Sequence, residues 1–142
     1  MRLDRTIGRF VYPLHRQLYR LTGGRIGHRT PQGPVLLLTT TGRKSGQLRT
    51  TPLLYLADGD DYVVVASNGG RPNTPAWWHN LRARPEAEVQ VGPRRVPVVA
   101  ELAGPDERAR LWPRLTEFYE GWAHYQTLTD REIPVVVLRP RH

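Results

Sequence analysis

Leu3, Ile7, Phe10, Val11, Leu14, Leu18 and Leu21 recur at helical spacing. They fall within an arc of about 100° around a helix. Arg2, Arg5, Arg9, Arg16 and Arg20 lie on the other side. The pattern predicts a basic amphipathic helix over residues 3–21. Pro13 should kink or divide it, and Gly23-Gly24 should end it. Such a helix either packs its apolar face on the rest of the protein or lies on an anionic membrane surface. We treat residues 1–29 as a basic leader and residues 30–142 as the domain proper.

Beyond the leader the pattern shifts to strand-length runs. Val35–Thr41 reads as a buried strand, and Gln47–Leu56 as its partner, with Pro52 marking a bulge or an edge. The Ala57–Asp61 stretch carries Asp-Gly turn chemistry before the β-branched run Tyr62–Ala66. Ser67–Pro75 is too rich in Gly, Pro and Asn for regular structure. A short helix should start near Pro75 and run to about Arg84. Glu88–Val91 and Val96–Leu102 form a hairpin about Gly92-Pro93. A helical stretch from Asp106 to about Thr127 should be split by Pro113, and Ile133–Leu138 is a last strand. About six strands joined by hairpin-length turns, with few helices, favour an antiparallel barrel over a βαβ sheet.

Composition narrows the chemistry. The 142 residues contain no cysteine, which removes disulfides, thiolate metal sites and a Cys nucleophile. No apolar run is long enough to span a bilayer. The N-terminus has no continuous apolar core, so no secretory signal is read, and a cytoplasmic location is expected, peripheral at the inner membrane face if the leader binds lipid. The formal charge is +8, and all but one of the 21 Lys and Arg residues are arginine. G+C-rich coding also produces that skew, so the total charge alone names no partner. Nucleic acid is not favoured, because no recognition motif accompanies the charge.

Three stretches stand out. Gly42-Arg43-Lys44-Ser45-Gly46 makes a glycine-hinged, doubly cationic hairpin tip holding the only lysine. It is not a P-loop, since Arg43 stands where that motif needs glycine. Both glycines can adopt positive φ, so backbone N–H groups can converge on an anion, with Arg43 and Lys44 adding charge and Arg49 close by. An ordinary solvated hairpin tip would look the same. Second, Ser67-Asn68-Gly69-Gly70 lets loop backbone approach a planar ligand, and Trp77-Trp78 opens the helix beyond it; core filling is the plainer role for both indoles. Third, Tyr119, Trp122 and Tyr125 recur every three residues and should share one helix face, as packing or as a pocket wall with polar tips. No metal-binding histidine pair and no G-x-S-x-G occurs, so catalysis would come from an organic cofactor.

"TTTGRKSGQLRTTPLLYLADGD", "ASNGGRPNTPAWWHNLRARPEAEVQVG" and "YQTLTDREIPVVVLRP" together resemble the deazaflavin-dependent nitroreductase family, which uses coenzyme F420. The similarity runs from about Val35 to Pro140. It implies a mainly β fold with helices, an FMN-binding-protein-like split β-barrel. It also implies a planar deazaflavin carrying a ribityl chain, a phosphate and an oligoglutamate tail. By resemblance, Gly42, Arg43, Lys44 and Ser45 hold the phosphate, with Arg49 nearby. Arg49, Thr50, Thr51, Pro52, Leu53 and Leu54 line the ribityl chain and ring edge. Val65, Ala66, Ser67 and Asn68 approach the ring by backbone, and Ala76, Trp77, Trp78, His79 and Asn80 cover the opposite side.

Tyr119, Trp122 and Tyr125 then border the substrate space. Trp122 stands where characterised relatives carry tyrosine, and an indole has an N–H but no acidic hydroxyl. Ser67 and Tyr125 are the candidates for polarising the acceptor. The implied reaction is hydride transfer from reduced deazaflavin to a quinone, enone or nitroaromatic. The competing functions are a non-catalytic deazaflavin or flavin carrier and an FMN-dependent reductase. An exposed barrel edge or aromatic cover leaves open whether subunits pair.

Overall fold

The computed structural model describes residues 29–30 and 33–141. The leader helix expected over residues 3–21 lies outside them. The strands are β1 (Arg29–Thr30), β2 (Gly33–Thr41), β3 (Leu48–Leu54), β4 (Leu56–Asp58), β5 (Asp61–Val65), β6 (Glu86–Val91), β7 (Arg94–Leu102) and β8 (Val135–Pro140). The helices are α1 (Ala76–Ala83), α2 (Pro105–Phe118) and α3 (Gly121–Thr127), with a single 3-10 turn at Asn68–Gly70.

All pairings are antiparallel, and their order is β1-β2-β6-β7-β8-β5-β4, with β3 on the other edge of β2. β3 and β4 are consecutive, separated only by Tyr55. One bent strand therefore pairs with β2 through its first half and with β5 through its second, which closes the ring. Counted so, the ring has the six strands expected, plus the two-residue β1. Pro52 sits on β3 opposite Leu37, on a strand paired along one side only, where its missing N–H costs no ladder bond.

The apolar runs are continuous because both sheet faces are covered. Leu36, Leu38, Val64, Val89, Val98, Val136 and Leu138 point into one cluster, closed by Trp77, Trp78 and Leu81 of α1. Their neighbours Val63, Val65, Val135 and Val137 point the other way, against Leu111, Leu115 and Trp122. Each such side chain, fully buried, contributes about 1.5–3 kcal/mol.

Pro113 does not split the second helical stretch. α2 runs through it to Phe118. Leu111 and Leu115, both fully buried, anchor the helix on either side of the proline, and that packing outweighs a cost of about 3 kcal/mol. The break falls instead at Tyr119, whose backbone is extended (φ −142°, ψ 105°). The Tyr119 ring lies where a β-carbon of residue 121 would be, so only Gly121 lets the chain resume as α3.

Candidate functional site

The β2–β3 turn closes on itself. Gly42 N–H donates to Gln47 O (2.7 Å), Gly46 N–H to Gly42 O (2.8 Å), and Gln47 N–H to Ser45 Oγ (3.1 Å). Gly46 takes the positive φ expected of it, 72°. Gly42 does not. It is required for space instead, because a β-carbon there would sit 2.8 Å from Ser45 Oγ. The backbone N–H groups of Lys44 and Ser45 have no partner among the described residues, so two consecutive donors remain open.

Asn80 docks this tip on α1. Its Nδ2 donates to Thr40 Oγ1 (3.1 Å) and its Oδ1 accepts from the Arg43 backbone N–H (3.1 Å). Asn80 is buried, so its amide is spent on holding the tip in place.

Between the tip, β3 and the start of α1 lies a cleft of about 780 Å³. Of the residues expected at a cofactor, Gly42, Arg43, Lys44, Ser45, Arg49, Thr50, Thr51, Ala76, Trp77 and Asn80 line it. Thr39 and Leu48 line it too and were missed. The hairpin register holds the signal that would have found them: Thr39 faces Thr50, with their hydroxyls 2.8 Å apart, and Leu48 faces Thr41. Among the described residues, Arg43, Lys44 and Arg49 have no carboxylate partner and no acid lines the cleft. His79, on α1, has its pKa lowered by burial first and then by the charges of Arg43 and Arg82.

The remaining expected residues lie elsewhere. Pro52, Leu53 and Leu54 continue β3 beyond the cleft lining, and the two leucines pack against opposite core clusters. Trp78 is core. Val65 and Ala66 are buried at the end of β5, and the Ala66 N–H donates to Pro134 O. The Ala66 and Ser67 carbonyls accept from Arg131, a residue that sequence reasoning passed over.

The aromatic triplet does not share one helix face, because the break at Tyr119 intervenes. Packing still unites it. Tyr119 meets Trp122 edge-on at 5.2 Å, and the Tyr119 and Tyr125 hydroxyls lie 3.1 Å apart. Trp122 itself is buried, stacked on Phe118. The 3-10 turn abuts α3: at Gly70 (φ 77°) a β-carbon would lie 2.9 Å from Tyr125 O.

A cleft rich in unpaired cations, with a Trp wall and open backbone donors, suits an elongated polyanion that carries a ring. Comparison with known proteins names the class. The model of the F420H(2)-dependent quinone reductase family matches residues 11–140. The chain is 49% identical to an F420H(2)-dependent quinone reductase of Mycobacterium tuberculosis (strain ATCC 25618 / H37Rv), over 98% of this chain and 96% of the relative. A solved F420-H2 dependent reductase, FDR-A, superposes with a TM-score of 0.69 at 41% identity, covering 75% of this chain and 94% of that one. Another solved chain, described as a domain-swapped dimer, gives 0.72 at 36% identity, covering 89% of this chain and 96% of its own. The deazaflavin dependence read from the motifs is thus found, under a description of quinone rather than nitro reduction. A match that spans almost the whole chain settles membership: this protein belongs to the F420H(2)-dependent quinone reductase family.

Proposed function

We propose that the chain binds coenzyme F420 in the cleft beneath the basic tip and reduces a quinone with it. Family membership makes it an F420H2-dependent oxidoreductase. The observation that carries the assignment of the site is the set Arg43, Lys44 and Arg49, which line one cleft with no carboxylate to neutralise them among the described residues. Left unpaired, such charges repel one another; a ligand phosphate and carboxylates relieve that and gain charge-assisted hydrogen bonds.

In this reading the open N–H groups of Lys44 and Ser45, with the Arg43 guanidinium, take the phosphate. The Thr39–Thr50 hydroxyl pair faces the ribityl chain, and Trp77 forms an apolar wall. When bound, reduced F420 supplies a hydride from C5 of its deazaflavin. The protein's part is to bring the acceptor within roughly 3–3.5 Å of that carbon. The Tyr119–Tyr125 hydroxyl pair and Ser67 are the groups proposed to hydrogen-bond the acceptor oxygen as negative charge develops on it. Trp122 shapes the region by packing and supplies no acidic proton.

Titration of the purified protein with oxidised F420 and, separately, FMN tests the assignment, read by tryptophan fluorescence. Binding of F420 in preference to FMN, followed by quinone-dependent oxidation of F420H2, is the expected result. Preference for FMN overturns the cofactor assignment, and F420 binding without turnover over a panel of quinones, enones and nitroaromatics favours a carrier.

The basic leader supports a second element of the proposal, contact with an anionic membrane surface where lipid-soluble quinones reside. Among the described residues no helix is long and apolar enough to cross a membrane. Sedimentation with anionic vesicles that is lost on removing residues 1–29 is expected. Sedimentation indifferent to that removal, or none at all, rejects this element.

A further inference from the structure

Arg131 follows α3 and makes no ion pair with a carboxylate among the described residues. Its guanidinium is spent wholly on carbonyls of one loop. Nη2 donates to Ser67 O (2.8 Å) and Asn73 O (3.5 Å), Nη1 to Ala66 O (3.3 Å) and Nε to Arg71 O (3.1 Å). The loop needs holding. Asn68, Gly69 and Gly70 take positive φ in succession (49°, 65° and 77°), and Asn68 has a β-carbon to strain. The Asn68 side chain bonds Asn73 O (3.0 Å) across the same loop.

Arg131 is itself fixed to α3. Gln126 Nε2 donates to Arg131 O (2.8 Å), and Gln126 Oε1 accepts from Ile133 N–H (2.9 Å). α3 also carries Tyr125, whose carbonyl lies so close that a β-carbon at residue 70 would meet it. A single side chain therefore ties the loop that bears Ser67 to the helix that bears the Tyr125 hydroxyl.

We propose that Arg131 is a positioning residue that locks the Ala66–Asn73 loop against α3 and thereby sets the spacing between Ser67 and the Tyr119–Tyr125 hydroxyl pair. Its consequence for turnover rests on the functional reading above. A planar fork with donors in several fixed directions suits four carbonyls; a lysine ammonium keeps the charge but cannot span them.

The test uses full-length protein carrying Arg131→Gln or Arg131→Lys. In the cofactor-free state, hydrogen exchange at the Gly70 and Arg71 amides, which donate to Ser67 O and Asn68 O, should quicken by about tenfold or more. Val64 and Val136, in the barrel core, serve as reference amides that reveal any global loosening. With F420H2 and a quinone, kcat should fall roughly ten- to hundredfold. The Kd for F420 should change less than about tenfold, because the basic tip is untouched. Lysine should recover only part of the loss. Loop exchange that is unchanged, or that rises only in step with the reference amides, overturns the clamp whatever the cofactor proves to be. A loosened loop with undiminished kcat overturns the positioning role, as does full recovery by lysine. A wild-type protein that fails to bind F420 overturns the functional reading alone, and the exchange measurement still decides the clamp.

Discussion

Two groups of arginines in this protein meet opposite fates. At the β4–β5 turn, Arg110 and Arg114 both bond Asp58, at 2.8–3.1 Å. Arg139, on β8, reaches Asp61, Glu101 and Glu107 together. Here cations stitch strands to α2, and each has a carboxylate beside it. The hydrogen bonds from Arg110 and Arg114 hold the Asp58 carboxyl at about 2. Those that Arg139 donates to Glu101 and Glu107 raise its already high pKa against the opposing pull of burial. At the β2–β3 tip, Arg43, Lys44 and Arg49 line a cleft and pair with no carboxylate among the described residues. The same side chain does structural work where its partner is built in, and where it is not it carries the ligand site proposed above.

Breaking the tip gives the largest expected effect. Arg43→Ala with Lys44→Ala should weaken F420 binding by several kcal/mol at most, since each charge-assisted contact contributes about 1.5–3 kcal/mol. Calorimetric titration measures this, and the melting temperature of the cofactor-free protein should barely move. A large loss of apo stability with unchanged affinity would make the tip structural after all.

Asn80→Leu attacks the bond between tip and helix. It strands the Arg43 N–H and Thr40 Oγ1, and should cost about 1–3 kcal/mol in denaturant unfolding. Affinity should fall as well, because the tip loses its anchor.

On the paired side, Asp58→Asn should destabilise by about 1 kcal/mol near neutral pH, well below the full pKa shift because both arginines are largely exposed. The folded-state pKa is depressed from 3.8 to about 2. The Asp58 contribution is therefore present above the unfolded value and lost as pH falls toward the folded one. Unfolding curves of wild type and variant should converge in strong acid.

The smallest effect sharpens the electrostatics of the cleft. The His79 pKa, lowered by burial and by Arg43 and Arg82, should rise in Arg43→Ala when followed by NMR titration. No change would mean that the Arg43 charge is not felt on α1.

Much of this molecule is legible without its fold. Turn chemistry at Gly59 and Gly92 and strand-length apolar runs locate the barrel strands, because local backbone preference and two-sided burial act over a few residues. The tip's charge and hinge glycine are equally local. Pro113 shows the limit: intrinsic propensity predicts a break, and the burial of Leu111 and Leu115 overrides it. Arg131 shows another, since the carbonyls it holds lie some 60 residues away in sequence.

The order of residues determined the strands, the basic tip and the family to which the chain belongs, since each is written in short contiguous stretches. Only the tertiary structure decided that Asn80 anchors the tip from 37 residues away, that Tyr119 and Tyr125 meet across a helix break, and that Arg131 closes on a loop some 60 residues distant. The Arg131 contact follows from the pairing of β5 with β8, which sets Val65 beside Val135 by a geometry that no local pattern encodes.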